Sequence, residues 1–148
     1  MAQSIQTAGV ALGHRGDPRV DLHSPARQGF EILHLGFTVA PILFGLDKFL
    51  HWMTNWDAYL SPAFARVSPF SVHSTMLVVG VIEIVAGILV ALRPKIGGLV
   101  VALWLASIIV DLCLLGHAWD VALRDFGLML GALALSRLAT ANETGDLA

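Results

Sequence analysis

The sequence has little of the charge that soluble and nucleic-acid-binding proteins carry. Only 14% of its 148 residues are charged, whereas a typical soluble domain carries about 25%. Nine basic and eleven acidic residues give a formal net charge of −2, which leaves no basic surface for a nucleic acid. The single cysteine, Cys113, excludes a disulfide framework, a paired-thiol redox motif and a metal site with several thiolate ligands.

Apolar residues are abundant instead, and they are concentrated in four long stretches. Hydrophobic residues make up 56% of the chain. The stretches at residues 30–50, 72–92, 96–115 and 119–138 each approach the roughly 20 helical residues that cross a bilayer. The second and third carry no continuous polar stripe, unlike the surface helices of a soluble bundle. The sequence therefore predicts an all-α fold, an integral membrane antiparallel four-helix bundle.

The distribution of cations predicts how the bundle is oriented. The segments at residues 93–95 and 116–118 are short enough to join only antiparallel neighbours. One side of the predicted bundle carries Arg15, Arg19, Arg27, Arg93, Lys95 and Arg137, and the other carries Lys48 and Arg66. Because cytoplasmic flanks are enriched in lysine and arginine, we expect both termini to be cytoplasmic, with the protein in the bacterial inner membrane.

Three segments outside the predicted spans complete the domain organisation. Residues 1–29 are polar and rich in glycine, serine and proline, which predicts a flexible cytoplasmic tail. Residues 51–71 form an outer connector in which Trp52, Trp56 and Tyr59 are spaced for a helix lying at the membrane interface. This connector is either an aromatic anchor or a lid over a site in the bundle. Residues 139–148 form a short polar C-terminal tail.

Ionisable residues inside the spans are informative because each costs about 2.5–3.5 kcal/mol at the centre of a bilayer. At a rise of about 1.5 Å per residue, most of them lie in the outer half of the predicted bundle, with Glu83 near the midplane. The candidate polar pocket consists of Asp47, Lys48, His51, His73, Glu83, Asp111, Asp120, Arg124 and Asp125. Arg124 and Asp111 lie at matching depths on neighbouring predicted helices, so we expect them to form an ion pair.

Several interpretations of these polar residues remain open. They could form a structural group of paired charges that sets the helix register. They could form a small-molecule or quinone-headgroup pocket in which Glu83 or Asp111 handles a proton. A metal site is a third interpretation, because Asp47 and His51 have helical ligand spacing. However, no second compact ligand pair accompanies them and His34 has no partner at its depth, so we expect neither metal nor haem, and quinone remains the candidate cofactor.

Three motifs resemble the DoxX-like family of small four-helix membrane proteins. They are FGLDKF in the first span, VVGVIEIVAGILVAL in the second and ALRDFGLMLGALAL in the fourth. The segment WDAYLSP is similar to a subgroup of uncharacterised members. The resemblance covers residues 30–138 and implies a four-helix membrane fold. Some members of the family are subunits of thiosulfate:quinone oxidoreductase and others assist redox maturation. The family-like polar residues are Asp47, Lys48, Glu83, Arg124 and Asp125, and the resemblance implies no catalytic role for them.

Together these observations predict an accessory or quinone-contacting subunit of a membrane oxidoreductase system that is not an enzyme on its own. One alternative is a small proton-coupled carrier or permease that uses Glu83 and Asp111. Another is a purely structural membrane subunit. The expected partners are the lipid bilayer and either another membrane subunit or further copies of the chain, and no nucleic acid is expected.

Overall fold

The computed structural model describes residues 24–145, and this part of the chain is almost entirely helical, with no strand. The four long helices are α1 (Pro25–Leu50), α3 (Val72–Leu92), α4 (Pro94–Leu115) and α5 (Trp119–Thr144). Between α1 and α3, the connector contains one 3-10 turn (Trp56–Tyr59) and the short helix α2 (Pro62–Val67). The all-α prediction is therefore confirmed, and the connector is divided into two short helical pieces.

Helices α1 and α5 extend into segments that the sequence predicts as polar tails. Helix α1 begins at Pro25 rather than residue 30, because the Ser24 hydroxyl accepts a hydrogen bond from the Arg27 amide at 3.2 Å and proline is favoured in the first helical turn. Helix α5 continues to Thr144 and ends at Gly145, whose φ of 80° favours glycine. The rest of the predicted tails, residues 1–23 and 146–148, lies outside the described residues.

Three of the long helices, α1, α3 and α4, are long and apolar enough to cross a membrane. Within the most apolar 18-residue window of each, only 11%, 33% and 22% of the residues are buried inside the protein. Apolar surface exposed on this scale needs a lipid or protein cover. Helix α5 is long, but it includes Asp120, Arg124, Asp125 and Arg137 and does not belong to this apolar set.

The long helices pack in a ring, α1 against α3, α3 against α4, α4 against α5, and α5 against α1. At the end of the ring opposite the connector, the Arg27 guanidinium donates to the Asn142 side chain at 2.7 Å, so α1 begins where α5 ends. Nearby, the His34 ring lies 3.1 Å from the Val90 carbonyl oxygen, which joins the first half of α1 to the last turns of α3. Sequential long helices therefore run antiparallel.

Two glycines set the distance between α1 and α3. A Cβ atom added at Gly45 would lie 2.5 Å from the Gly80 carbonyl oxygen, and one added at Gly80 would lie 2.8 Å from the Gly45 carbonyl oxygen. No real side chain fits at these distances, so the two helix backbones touch at this point. Small residues permit this kind of close approach between helices in membranes.

We expect Gly45→Ala to lower the thermal stability of the detergent-solubilised protein by roughly 1–3 kcal/mol, the usual cost of overpacking. The matched control is Gly36→Ala, because Gly36 is also in α1 but has nothing within 4 Å of its Cβ position. The control should melt at or slightly above the temperature of the unmodified chain, since alanine favours helix. Equal melting temperatures for the two variants would contradict the close approach.

Candidate functional site

A buried ion pair lies where α1 and α3 touch. The Lys48 ammonium is 2.6 Å from the Glu83 carboxylate, and the two residues are only 3% and 8% exposed. Side chains lean toward the N-terminus of their own helix. In antiparallel helices this makes Lys48 and Glu83, each three residues beyond one of the touching glycines, lean toward each other. The glycine contact thus brings the two charges to the same level.

Trp56 covers this pair on the connector side. Its ring lies over the Lys48 ammonium, with 3.9 Å between the nitrogen and the ring centroid, an attractive cation–π arrangement. The indole N–H of Trp56 donates to the Asp47 carboxylate at 2.7 Å. The other oxygen of that carboxylate accepts from the backbone amides of Trp52 and Met53 at 2.9 and 3.0 Å. Asp47 therefore fixes the chain that leaves α1 and holds Trp56 in place.

One residue from α4 and one from α5 also lie near the pair. Asp125 interacts electrostatically with Lys48 and with Arg124, so the buried ammonium is near a second carboxylate besides that of Glu83. Trp104 in α4 lies next to Glu83. Its indole nitrogen is buried and, among residues 24–145, has no hydrogen-bond partner of good geometry. All four long helices therefore contribute a polar group near the buried pair.

His51 and His73 form a second, more exposed group at the connector end. Their rings stack with 5.5 Å between centroids, and His73 Nδ1 lies 3.3 Å from the Asp57 carboxylate. His51 ends α1 in a left-handed conformation with φ of 54°. Within the described residues, no group of three histidine, cysteine, aspartate or glutamate side chains is placed to hold a metal ion.

Asp111 accepts a hydrogen bond from the connector and does not pair with Arg124. Its two carboxylate oxygens lie 3.1 and 3.4 Å from the amide nitrogen of Ser61, which donates to them. Ser61 is fully buried and its hydroxyl caps the first turn of α2. The predicted Arg124–Asp111 pair is wrong, because Arg124 is exposed and no carboxylate of residues 24–145 lies within ion-pair distance of it. Two residues at the same depth along neighbouring helices need not face each other, because depth does not determine the direction of a side chain around the helix axis.

The nine predicted pocket residues therefore fall into separate groups. Lys48 and Glu83 form the buried pair, with Asp47 and Asp125 near it. His51 and His73 stack at the connector end, and Asp111 binds the connector. Asp120 and Arg124 are exposed on α5, where Asp120 lines a cleft of about 330 Å³ together with His117 and Tyr59. The sequence left open that the connector is a lid over a site in the bundle, but it did not single out Trp56 as the residue that covers Lys48. A lone lysine near the end of an apolar span, with tryptophans following it, is the signal that could have indicated this role.

Compared with known proteins, the chain matches no family model, no curated protein and no solved structure.

Removing one member of the buried pair should destabilise the protein strongly, because the other charge stays buried without a partner. For Lys48→Met or Glu83→Leu alone we expect a loss of about 3–5 kcal/mol, and for the double variant a much smaller one. Thermal unfolding in detergent measures all three.

The matched control is the exposed pair Lys95–Glu143, which has a similar chemistry and a nitrogen–oxygen distance of 3.3 Å. Lys95→Met and Glu143→Leu should each change stability by less than about 1 kcal/mol, as is usual for surface pairs. If the single losses at Lys48 and Glu83 add up in their double variant, the two charges do not stabilise each other.

Proposed function

We propose that the chain is a four-span membrane protein of the DoxX-like kind. In this proposal it is a non-catalytic subunit or accessory of an oxidoreductase system in the bacterial inner membrane. The observation that supports a non-catalytic role is that Lys48 and Glu83 are buried and paired with each other. A catalytic or transporting group has to meet its substrate, whereas these two charges are buried against each other and Trp56 covers the Lys48 ammonium. The pair holds helices together, as buried pairs that set register do.

The residues behind the DoxX-like resemblance support the family part of the proposal. FGLDKF supplies Gly45, Asp47 and Lys48, and VVGVIEIVAGILVAL supplies Gly80 and Glu83. These two motifs are far apart in the chain, yet their distinctive residues meet at one contact between α1 and α3. Convergence of this kind is expected when a motif encodes a structural unit. The oxidoreductase association rests on the resemblance itself.

The packing of α5 supports a fourth span. Helix α5 has 26 residues, which gives a length of about 39 Å at 1.5 Å per residue, and it lies along α4 with its end beside the start of α1. If α1, α3 and α4 cross the membrane, α5 crosses it as well, because it lies beside α4 along its length. Its charged residues lie toward its two ends, where long side chains reach the interface.

A proton-coupled carrier has less support. Its two proposed proton-handling groups are engaged separately, Glu83 with Lys48 and Asp111 with the Ser61 amide. Neither the cleft beside Asp120 nor the apolar groove between α3 and α4 is lined by Lys48 or Glu83. A carrier binds its substrate at a cavity near the midplane, and these clefts do not reach the buried charges.

Cysteine labelling in intact cells tests the number of spans and their orientation. In a Cys113→Ala background, an impermeant maleimide should label Met53→Cys in the connector and should leave Ser4→Cys and Asp146→Cys unlabelled until the cells are permeabilised. Labelling of both Met53→Cys and Asp146→Cys in intact cells, with Ser4→Cys protected, would mean that α5 does not cross. Labelling of Ser4→Cys and Asp146→Cys, but not Met53→Cys, would reverse the orientation.

The oxidoreductase role is tested in membranes of the source organism. Deleting the chain should reduce quinone-dependent oxidation of a sulfur donor such as thiosulfate, and the unmodified chain should restore it. Lys48→Met should fail to restore the activity because the bundle is destabilised, whereas Lys95→Met should restore it. If thiosulfate oxidation with quinone is unchanged in the deletion membranes, the chain does not serve this oxidoreductase.

A further inference from the structure

One face of α5 is exposed from Asp120 to Ala134, over more than half of the helix. We call it the α5 seam, and it consists of Asp120, Leu123, Gly127, Leu130 and Ala134, all of which are exposed. These positions alternate in steps of three and four residues, the spacing with which two helices pack side by side over successive heptads. Nothing in the described chain contacts the Cβ position of Gly127, and Leu123 is 73% exposed. The seam therefore has the pattern of a helix-packing surface without a helix packed on it.

Two opposite charges lie at the outer end of the seam. Asp120 belongs to the seam and Arg124 lies beside it, and both are exposed. In the described part of the chain neither forms an ion pair, not even with the other one turn away on the same helix. Arg124 interacts electrostatically with Asp125, and Asp120 lines the open cleft beside His117. The outer end of the seam therefore presents one exposed acidic and one exposed basic side chain, a set of charges that is complementary to a second copy of itself.

We propose that a second copy of this chain covers the α5 seam and forms a two-fold symmetric dimer. A two-fold axis along the membrane normal makes the two α5 helices parallel and places identical residues at the same level. Asp120 and Arg124 are one turn apart, about 6 Å along the helix. An arginine side chain spans that distance when it extends toward the outer surface. Each Arg124 can then pair with Asp120 of the other copy, so that the same contact forms twice.

This inference rests on the proposed crossing of the membrane by α5. It adds that α5 faces protein rather than lipid along the seam. Helix α5 is the long helix that is not among the three apolar enough to cross a membrane by composition alone. It also gives Asp120 and Arg124 ion-pair partners, which they do not have within the described residues of a single chain.

Disulfide cross-linking in membranes tests the position of the contact. In the Cys113→Ala background, mild oxidation of Gly127→Cys should give a covalent species of twice the chain mass. Gly36→Cys is the matched control, because Gly36 is exposed on α1 and its Cβ position is equally open. The control should stay at the mass of one chain. Equal cross-linking at both positions, or none at Gly127→Cys, would overturn the proposal.

A charge-complementation experiment tests the ion pairs themselves. Arg124→Asp gives one chain two acidic residues at the contact, and Asp120→Arg gives another chain two basic residues. Each variant expressed alone should lose dimer at least tenfold in mild detergent, because like charges meet. Co-expressed with different affinity tags, the two variants should recover a mixed dimer, since both cross-pairs become complementary.

The outcomes separate this inference from the proposed function. Dimers of either variant alone, or no mixed dimer from the pair, would overturn the inference. If Asp146→Cys is protected in intact cells while Gly127→Cys does not cross-link, α5 crosses the membrane and only the dimer is wrong. If Asp146→Cys is labelled together with the connector, the fourth span and the dimer both fail.

Discussion

The contact between the backbones of α1 and α3 at Gly45 and Gly80 is the constraint on which the rest of the site depends. It brings two helices close enough for Lys48 and Glu83 to meet at 2.6 Å. The Lys48 ammonium in turn gives Trp56 a cation to cover, and Asp47 holds that tryptophan while it fixes the chain leaving α1. A bulkier residue in place of either glycine would separate the helices. It would thereby weaken the Lys48–Glu83 ion pair and the contact of Trp56 with Lys48.

The connector is bound to the bundle at its beginning and at its middle, which makes it part of the folded structure rather than a loose loop. Asp47 accepts from the amides at its beginning, and Asp111 accepts from the Ser61 amide farther along. Hydrogen bonds to carboxylates are stronger than those between neutral groups. Both carboxylates therefore serve the backbone, which explains why two acidic residues lie at the ends of apolar helices without a cationic side chain in ion-pair contact.

The fold was more predictable from the sequence than the site. Four apolar stretches indicated the four long helices, and only their ends differed, because capping by Ser24 and Gly145 extends helices through polar residues. Depth can be estimated from the rise per residue, so the sequence identified the charged residues that lie toward the connector end of the bundle. Rotation about each helix axis depends on tertiary contacts such as Gly45–Gly80, and for that reason the pairing of Lys48 with Glu83 and the outward direction of Arg124 could not be read from spacing.

The separation of Lys48 and Glu83 along the chain has a consequence for biogenesis in a membrane. The two residues are 35 positions apart, so α1 is synthesised before its buried cation has a counter-charge. If α1 crosses a membrane, Lys48 stays solvated at the membrane surface during that interval, since an unpaired ammonium is costly in hydrocarbon. The ammonium can become buried only after α3 has followed and its glycine has docked against α1. Completion of the first helix hairpin is thus coupled to neutralisation of its charge, and a chain interrupted before Glu83 would hold α1 in a shallow, unfinished position.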